Sequence, residues 1–106
     1  LWIIYSLNSA LISQVLGGSI VHLKMECFQH TGTFKARGAL SVTQSIPTAN
    51  KRRGITAASA GNHAIASAWA ARQCGLNAKV VMQSSAMPTQ HRDLGLFLKR
   101  DSPTLW

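Results

Sequence analysis

Two short segments of this sequence carry residue types that can do chemistry. The first, the lysine segment (residues 30–35, HTGTFK), is a polar turn with one glycine that leads to Lys35. A lysine in the first turn of a helix lies near unpaired backbone N–H groups and a partial positive charge, which disfavour its charged form. A neutral lysine amine is a nucleophile that forms a Schiff base with a carbonyl compound. The segment indicates covalent chemistry at an amine, although an ordinary solvated lysine fits the same pattern.

The second segment, the amide loop (residues 59–63, SAGNH), lies between a strand pattern and an alanine-rich helix pattern. In open α/β sheets, ligands gather at the edge where such loops lie. The backbone N–H groups of the loop, together with Gly61 and the dipole of the next helix, could bind an anion. A helix cap formed by Ser59 or Asn62 explains the same residues. The loop alone therefore leaves both interpretations open.

Helix and strand patterns alternate along the chain and must position these two segments. Hydrophobic periodicity and glycine or proline stops predict helices over 6–16, 34–45 and 64–74, with a last helix opening at Pro88. Either Thr31 or Thr33 could cap the second helix. The predicted strands cover 20–25, 54–58 and 78–82. Such alternation implies right-handed crossovers, so the predicted fold class is α/β, a three-layer open parallel sheet with flanking helices.

The composition and charge of the chain narrow its class. A chain of 106 residues with 46% hydrophobic residues can form one small domain and is not a disordered tail. We expect strand 54–58 to be buried on both faces, as in other parallel sheets. The net charge of +8 would suit a nucleic-acid partner, but the basic residues are scattered and their longest run is only 51–53. We therefore expect no nucleic-acid partner.

Membrane, metal and disulfide chemistry are also not indicated. No apolar run reaches the ~18 residues of a membrane helix, and the apolar start lacks the pattern of a signal peptide. Cys27 and Cys74 are far apart and form no CxxC pair, so we expect free thiols and a cytoplasmic location. No metal site is expected, because none of the four histidines has metal-ligand spacing: His22, His30, His63 and His91.

The lysine segment and its flanks, LKMECFQHTGTFKARGAL (residues 23–40), resemble the lysine segment of fold-type II pyridoxal-phosphate enzymes. The resemblance is closest to the threonine dehydratase and serine dehydratase/racemase branch, with Thr33 at the place of the usual serine. The amide loop is similar to the SAGNHA or SSGNHA loop of the same family. The resemblance covers residues 7–88 and fades at both ends. We therefore expect a single partial domain over 1–106, an N-terminal fragment of the family's chain with a divergent tail over 97–106.

The resemblance implies a role for each residue of the two motifs. Lys35 would carry pyridoxal phosphate as a Schiff base and remove the α-proton of the substrate, while Phe34 would pack beside the cofactor ring. Asn62 would hydrogen-bond the ring hydroxyl. The substrate carboxylate would dock on the amide loop, which consists of Ser59, Ala60, Gly61, Asn62 and His63. The implied reaction is the β-elimination of a hydroxy amino acid, such as threonine or serine, to a 2-oxo acid and ammonia.

Departures from the family's pattern bear on the expected reaction and on cofactor binding by the isolated chain. Ala60 stands where the racemase branch has a serine that acts as the second acid/base, so a dehydratase is favoured over a racemase. The family's glycine-rich phosphate loop and its Ser or Cys partner of the pyridine nitrogen are absent from these 106 residues. We expect weak cofactor binding and little turnover by the isolated chain, and a homo-oligomer in the full-length family. The alternatives are an inactive fragment or decayed gene product of the family, and a small basic nucleic-acid-binding protein.

Overall fold

The computed structural model of the chain describes residues 6–83 and, beyond them, residues 85, 88, 89 and 92. Helices and strands alternate along the described part, which confirms the α/β class. The elements are β1 (Ser6–Asn8), α1 (Ala10–Val15), β2 (His22–Lys24), α2 (Lys35–Gln44), β3 (Ile55–Ala58), α3 (Asn62–Gln73) and β4 (Ala78–Val81). Turns of 3₁₀ helix precede α2 and β3, at Glu26–Phe28, His30–Gly32 and Thr48–Arg53.

The described strands form two separate pairs instead of the one three-stranded parallel sheet expected from the sequence. β3 and β4 pair in parallel around the crossover helix α3, with Ala57 opposite Val80. β2 instead pairs antiparallel with β1, which places Leu23 opposite Leu7. The predicted helix over 6–16 is therefore wrong in its first residues. It begins only at α1, because the hydroxyl of Ser9 caps it by accepting a hydrogen bond from the backbone N–H of Ile12 at 3.3 Å.

The helix α3 is the centre of the described fold. Its residues 64–71 are all buried, and most of them are alanines, whose small side chains let neighbouring elements approach closely. One side of α3 packs against β4 through Ala64 and Ala68. Another side packs against α2 through Trp69 and Ala70. Because α3 contacts both neighbours, it fixes the start of α2, which is Lys35, relative to the amide loop.

Burial of β3 is one-sided. Ile55 and Ala57 are half-buried, whereas Thr56 and Ala58 are exposed. Burial on both faces, as expected from the sequence, is therefore wrong, because α3 covers only the face that includes Ala57.

The ends of the described stretch are less enclosed than its centre. α1 has no buried residue, and it stops at Gly17 and Gly18, whose φ angles of 68° and 86° confirm the predicted glycine stop. Pro88, Thr89 and Arg92 are helical, but the other residues of the predicted last helix and the predicted tail over 97–106 lie outside the described residues. Within the described part of the chain, no helix combines the length and apolar character needed to cross a bilayer.

Candidate active site

Lys35 is the first residue of α2, so the helix begins one residue later than the sequence predicted. Phe34 takes the position before the helix without a side-chain cap. Of the two threonines predicted as caps, Thr33 supplies the hydrogen bond, since its Oγ1 accepts from the backbone N–H of Lys35 at 3.3 Å. The lysine is thereby held where a turn ends and a helix starts, with its side chain exposed.

The turn that delivers Lys35 has a strained backbone. Thr31 has a φ of 64° and Gly32 a φ of 69°, both in the left-handed region. A threonine in that region costs on the order of 1–3 kcal/mol. The Oγ1 atom of Thr31 is also buried without a hydrogen-bond partner in the described structure. Local preferences do not account for this turn, so contacts from other parts of the chain must hold it.

Two sets of contacts hold the turn. The ring of His30 stacks on Trp69 of α3, with ring centroids 5.0 Å apart and an interplanar angle of 18°. The carboxylate of Glu26 accepts hydrogen bonds from Nε of Arg37 at 3.1 and 3.2 Å, and it forms an ion pair with Nζ of Lys24 at 2.9 Å. The hydrogen bond from Lys24, with support from Arg37, lowers the pKa of Glu26 below its ordinary value.

A cleft of about 420 Å³ opens beside Lys35. Its lining includes Phe34 and Lys35 from the lysine segment and His63 from the amide loop. The ring of Phe34 is 61% exposed, and its centre lies 5.1 Å from Nζ of Lys35. The cleft thus combines an amine, an open aromatic face and an imidazole, and it brings residues of both sequence motifs together.

The amide loop is ordered by its own backbone and by Ser59. The Oγ of Ser59 accepts a hydrogen bond from the N–H of Gly61 at 3.3 Å, and the N–H of Ser59 donates to the carbonyl of Val81 at 3.0 Å. Gly61 precedes α3, and no side chain caps that helix, so the cap interpretation of Ser59 or Asn62 is wrong. The backbone N–H groups of Asn62 and His63 have no acceptor in the described part of the chain, so they could bind an anion.

The predicted loop residues do not all face the same space. Ser59 and Ala60 line a second cavity of about 340 Å³ beyond the carboxyl ends of β3 and β4, together with Met82. His63 lines the cleft beside Lys35, whereas Gly61 and Asn62 line neither space. The structure therefore joins Lys35 to the amide loop through His63, and Asn62 is next to it at the start of α3.

Sequence reasoning missed some residues of the cleft. Ser67 is 5% exposed and lies one helical turn after His63, so the spacing of four residues could have placed it on the same face. Thr56 of β3 also lines the cleft, and the available signal was a single polar residue within an otherwise apolar strand pattern. The stacking of His30 on Trp69 left no signal in the sequence, because it depends on how α3 packs.

Comparison with known proteins gives the same family for most of the chain. A family model described as "Pyridoxal-phosphate dependent enzyme" matches residues 7–97. Phenylserine dehydratase of Ralstonia pickettii is 45% identical over 73 residues, which are 69% of this chain and 22% of that protein. L-threonine ammonia-lyase of Thermotoga maritima is 44% identical over 90 residues, 82% of this chain and 22% of that protein. The chain thus spans about a fifth of the length of these relatives.

A solved structure resembles the fold as well. The structure of maize serine racemase matches with a TM-score of 0.87 and 28% sequence identity, covering 97% of this chain and 30% of that one. The relatives that are similar in sequence are named for dehydratase or ammonia-lyase activity, and this structure is named for racemase activity. The fold alone therefore does not separate these two reaction types.

Proposed function

Because the chain belongs to the family of pyridoxal-phosphate-dependent enzymes, we propose that it supplies the lysine side of a lyase site for hydroxy amino acids. The proposed reaction is the β-elimination of a substrate such as threonine or serine to a 2-oxo acid and ammonia. The observation that carries the proposal is that Lys35 and His63, one from each motif, line the same cleft. The names of the relatives similar in sequence support the elimination reaction.

The residues of the cleft fit the chemical groups of pyridoxal phosphate. The aldehyde needs an amine, and Lys35 offers one that forms no ion pair within the described residues. The flat ring needs an apolar face, which the exposed ring of Phe34 provides. Asn62 does not line the cleft but lies next to His63 at the start of α3, and it is the proposed partner of the ring hydroxyl. When bound, the cofactor supplies an electron sink for the electrons left on Cα after loss of its proton.

The residues of this chain would bind the substrate and move its proton. The unpaired N–H groups of Asn62 and His63 would bind the carboxylate, with the positive end of the α3 dipole behind them. The amine of Lys35 would take the α-proton as the base. Racemisation requires a second proton donor on the opposite face, and Ala60 carries no group that can donate one. The missing donor favours elimination.

The site within these residues is a partial one. The 106 residues contain no glycine-rich loop of the kind the resemblance implies for the phosphate, and they span about a fifth of the relatives' length. We propose that the isolated chain binds the cofactor weakly and turns over little substrate. An inactive fragment of the family is the second candidate, and the small share of the relatives' length favours it. The cytoplasmic location and the homo-oligomer remain predictions.

A titration with pyridoxal phosphate, followed by visible absorbance, tests the proposal. After subtraction of the absorbance of free cofactor, we expect a yellow band with the wild-type chain and a clearly weaker one with Lys35→Arg, since the guanidinium group of arginine is not a nucleophile. Lys51→Arg is the matched control, because Lys51 is an exposed lysine of the 3₁₀ turn before β3. A wild-type chain without the band, or a band of equal strength in Lys35→Arg, would contradict the proposed role of Lys35.

A further inference from the structure

Trp69 is associated with the residues on both sides of Lys35. Before the lysine, the ring of His30 stacks on the indole with ring centroids 5.0 Å apart. After the lysine, Ala36 is completely buried in a cluster with Trp69 and Ala70. The indole is itself only 7% exposed, so it is a fixed part of α3. Lys35 thus lies between a residue that stacks on Trp69 and a residue that shares a buried cluster with it.

The residues between these contacts depend on them for their position. Thr31 and Gly32 have φ angles of 64° and 69°, and the buried Oγ1 of Thr31 has no hydrogen-bond partner in the described structure. A turn with a left-handed threonine and an unsatisfied hydroxyl is not the conformation that its own residues prefer. The stack of His30 on Trp69, whose centroid distance is in the favourable range for aromatic pairs, supplies part of the energy that stabilises this turn.

We propose that the stack of His30 on Trp69, called here the aromatic clamp, positions Lys35 against the amide loop. Trp69 lies on the helix that starts at Asn62, so the indole relates the lysine turn to the proposed anion site through one rigid element. His30 and Trp69 are positioning residues that act through the turn. The chemical consequence rests on the proposed function, whereas the ordering of the turn does not.

His30 is the residue at which the clamp can be opened without damage to the core. It is half-buried, whereas Trp69 belongs to the buried core. His30→Ser removes the ring, and His30→Phe keeps a flat ring of similar size. His22→Ser is the matched control, because it makes the same change at an exposed histidine of β2 outside the clamp.

Two measurements on the full 106-residue chain test the clamp. The first is amide hydrogen exchange of residues 31–36 without any cofactor. The second is the share of pyridoxal phosphate that borohydride fixes on Lys35 relative to the other lysines. For His30→Ser we expect exchange in the turn to rise roughly two- to tenfold, the range that corresponds to one aromatic pair. We expect the share on Lys35 to fall by a similar factor, with recovery of both values in His30→Phe and no change in His22→Ser.

The outcomes separate this inference from the proposed function. If the wild-type chain shows no preferential labelling of Lys35, the proposed function is contradicted, and so is the effect of the clamp on labelling. If hydrogen exchange in the turn is unchanged in His30→Ser, the clamp does not order the turn and the inference is overturned. Selective labelling of wild-type Lys35 that is equal in His30→Ser would overturn the clamp and leave the proposed function standing. Faster exchange with an equal share of label would also overturn it, because the stack would then only stabilise the fold.

Discussion

Glu26 joins the turn before Lys35 to the helix after it, because both of its carboxylate oxygens accept hydrogen bonds from Nε of Arg37, at 3.1 and 3.2 Å. The ammonium of Lys24 lies 2.9 Å from the same carboxylate. The hydrogen bond from Lys24 is the main cause that lowers the pKa of Glu26 below its ordinary value of 4.5, with further lowering by Arg37. The lysine turn is therefore held by charge on one side and by the stack of His30 on Trp69 on the other.

The lowered pKa of Glu26 predicts how the stability of the chain depends on pH. A carboxyl whose pKa is lower in the folded state stabilises the fold at pH values above its unfolded pKa, and this contribution is lost as the pH falls through the folded pKa. The free energy of unfolding should therefore fall more steeply below about pH 4.5 for the wild type than for Glu26→Gln. Urea denaturation at a series of pH values measures both slopes, and equal slopes would show that the carboxylate contributes nothing.

A pair of glycine substitutions tests the close approach between the start of β3 and the residue before β4. A Cβ at Gly54 would lie 2.5 Å from the carbonyl oxygen of Asn77, and Gly54 has a φ of 70°. Gly75 has a nearly equal φ of 67° but open space around the position of a Cβ. We expect Gly75→Ala to cost about 1–2 kcal/mol from the left-handed backbone alone. Gly54→Ala should lower the free energy of unfolding clearly more, as measured by urea denaturation. Equal losses in the two variants would mean that Asn77 moves aside at no cost in stability.

A negative charge at the start of α3 should separate stability from ligand binding. Asn62→Asp places a carboxylate at the positive end of an uncapped helix, so we expect a gain of about 0.3–1 kcal/mol in the free energy of unfolding. The same charge should weaken binding of the amino-acid substrate by the cofactor-loaded chain, because it repels the substrate carboxylate and competes for the open N–H groups of Asn62 and His63. Asn50→Asp, in the 3₁₀ turn before β3, is the control with the same charge change. Unweakened binding of the amino acid by Asn62→Asp would argue against an anion site at the amide loop.

The cleft itself can be filled at Gly38. This residue lies in the interior of α2 and lines the cleft, and a Cβ there would meet nothing within 4 Å. Gly38→Ala should stabilise the chain by about 0.5–1 kcal/mol, as alanine does in helix interiors, and should leave cofactor binding intact. Gly38→Leu should occupy the cleft and reduce the visible absorbance of bound cofactor. If the leucine variant binds as well as the alanine variant, the cofactor does not use this cleft.

The sequence was sufficient for the elements whose signals are local. The alanine-rich run and the glycine after it predicted α3 within two residues at its start, and the apolar run 78–82 predicted β4. The pairing of β2 was not predictable from periodicity, which carries no information on which strand lies alongside which. The partner of β2 is the segment Ser6–Asn8, whose leucine also fitted a helical pattern.

The candidate site likewise has features that the sequence predicted and features that it did not. Both motifs could be found from the sequence because their functions depend on local backbone chemistry. The signals were the glycine and polar residues around Lys35 and the loop before α3. Their meeting in one cleft depends on the packing of α2 against α3, and the stack of His30 on Trp69 depends on the depth at which the indole is buried. Such contacts arise between residues far apart in the sequence, so no local pattern encodes them.

We propose that the amine of Lys35 is the group of this chain that holds pyridoxal phosphate. Incubation of the chain with the cofactor, reduction with borohydride and peptide mapping of all lysines test it most directly. We expect the label on the peptide that contains Lys35, and we expect Lys35→Arg to lose it. Label on another lysine, label spread evenly over the lysines, or no label at all would contradict it.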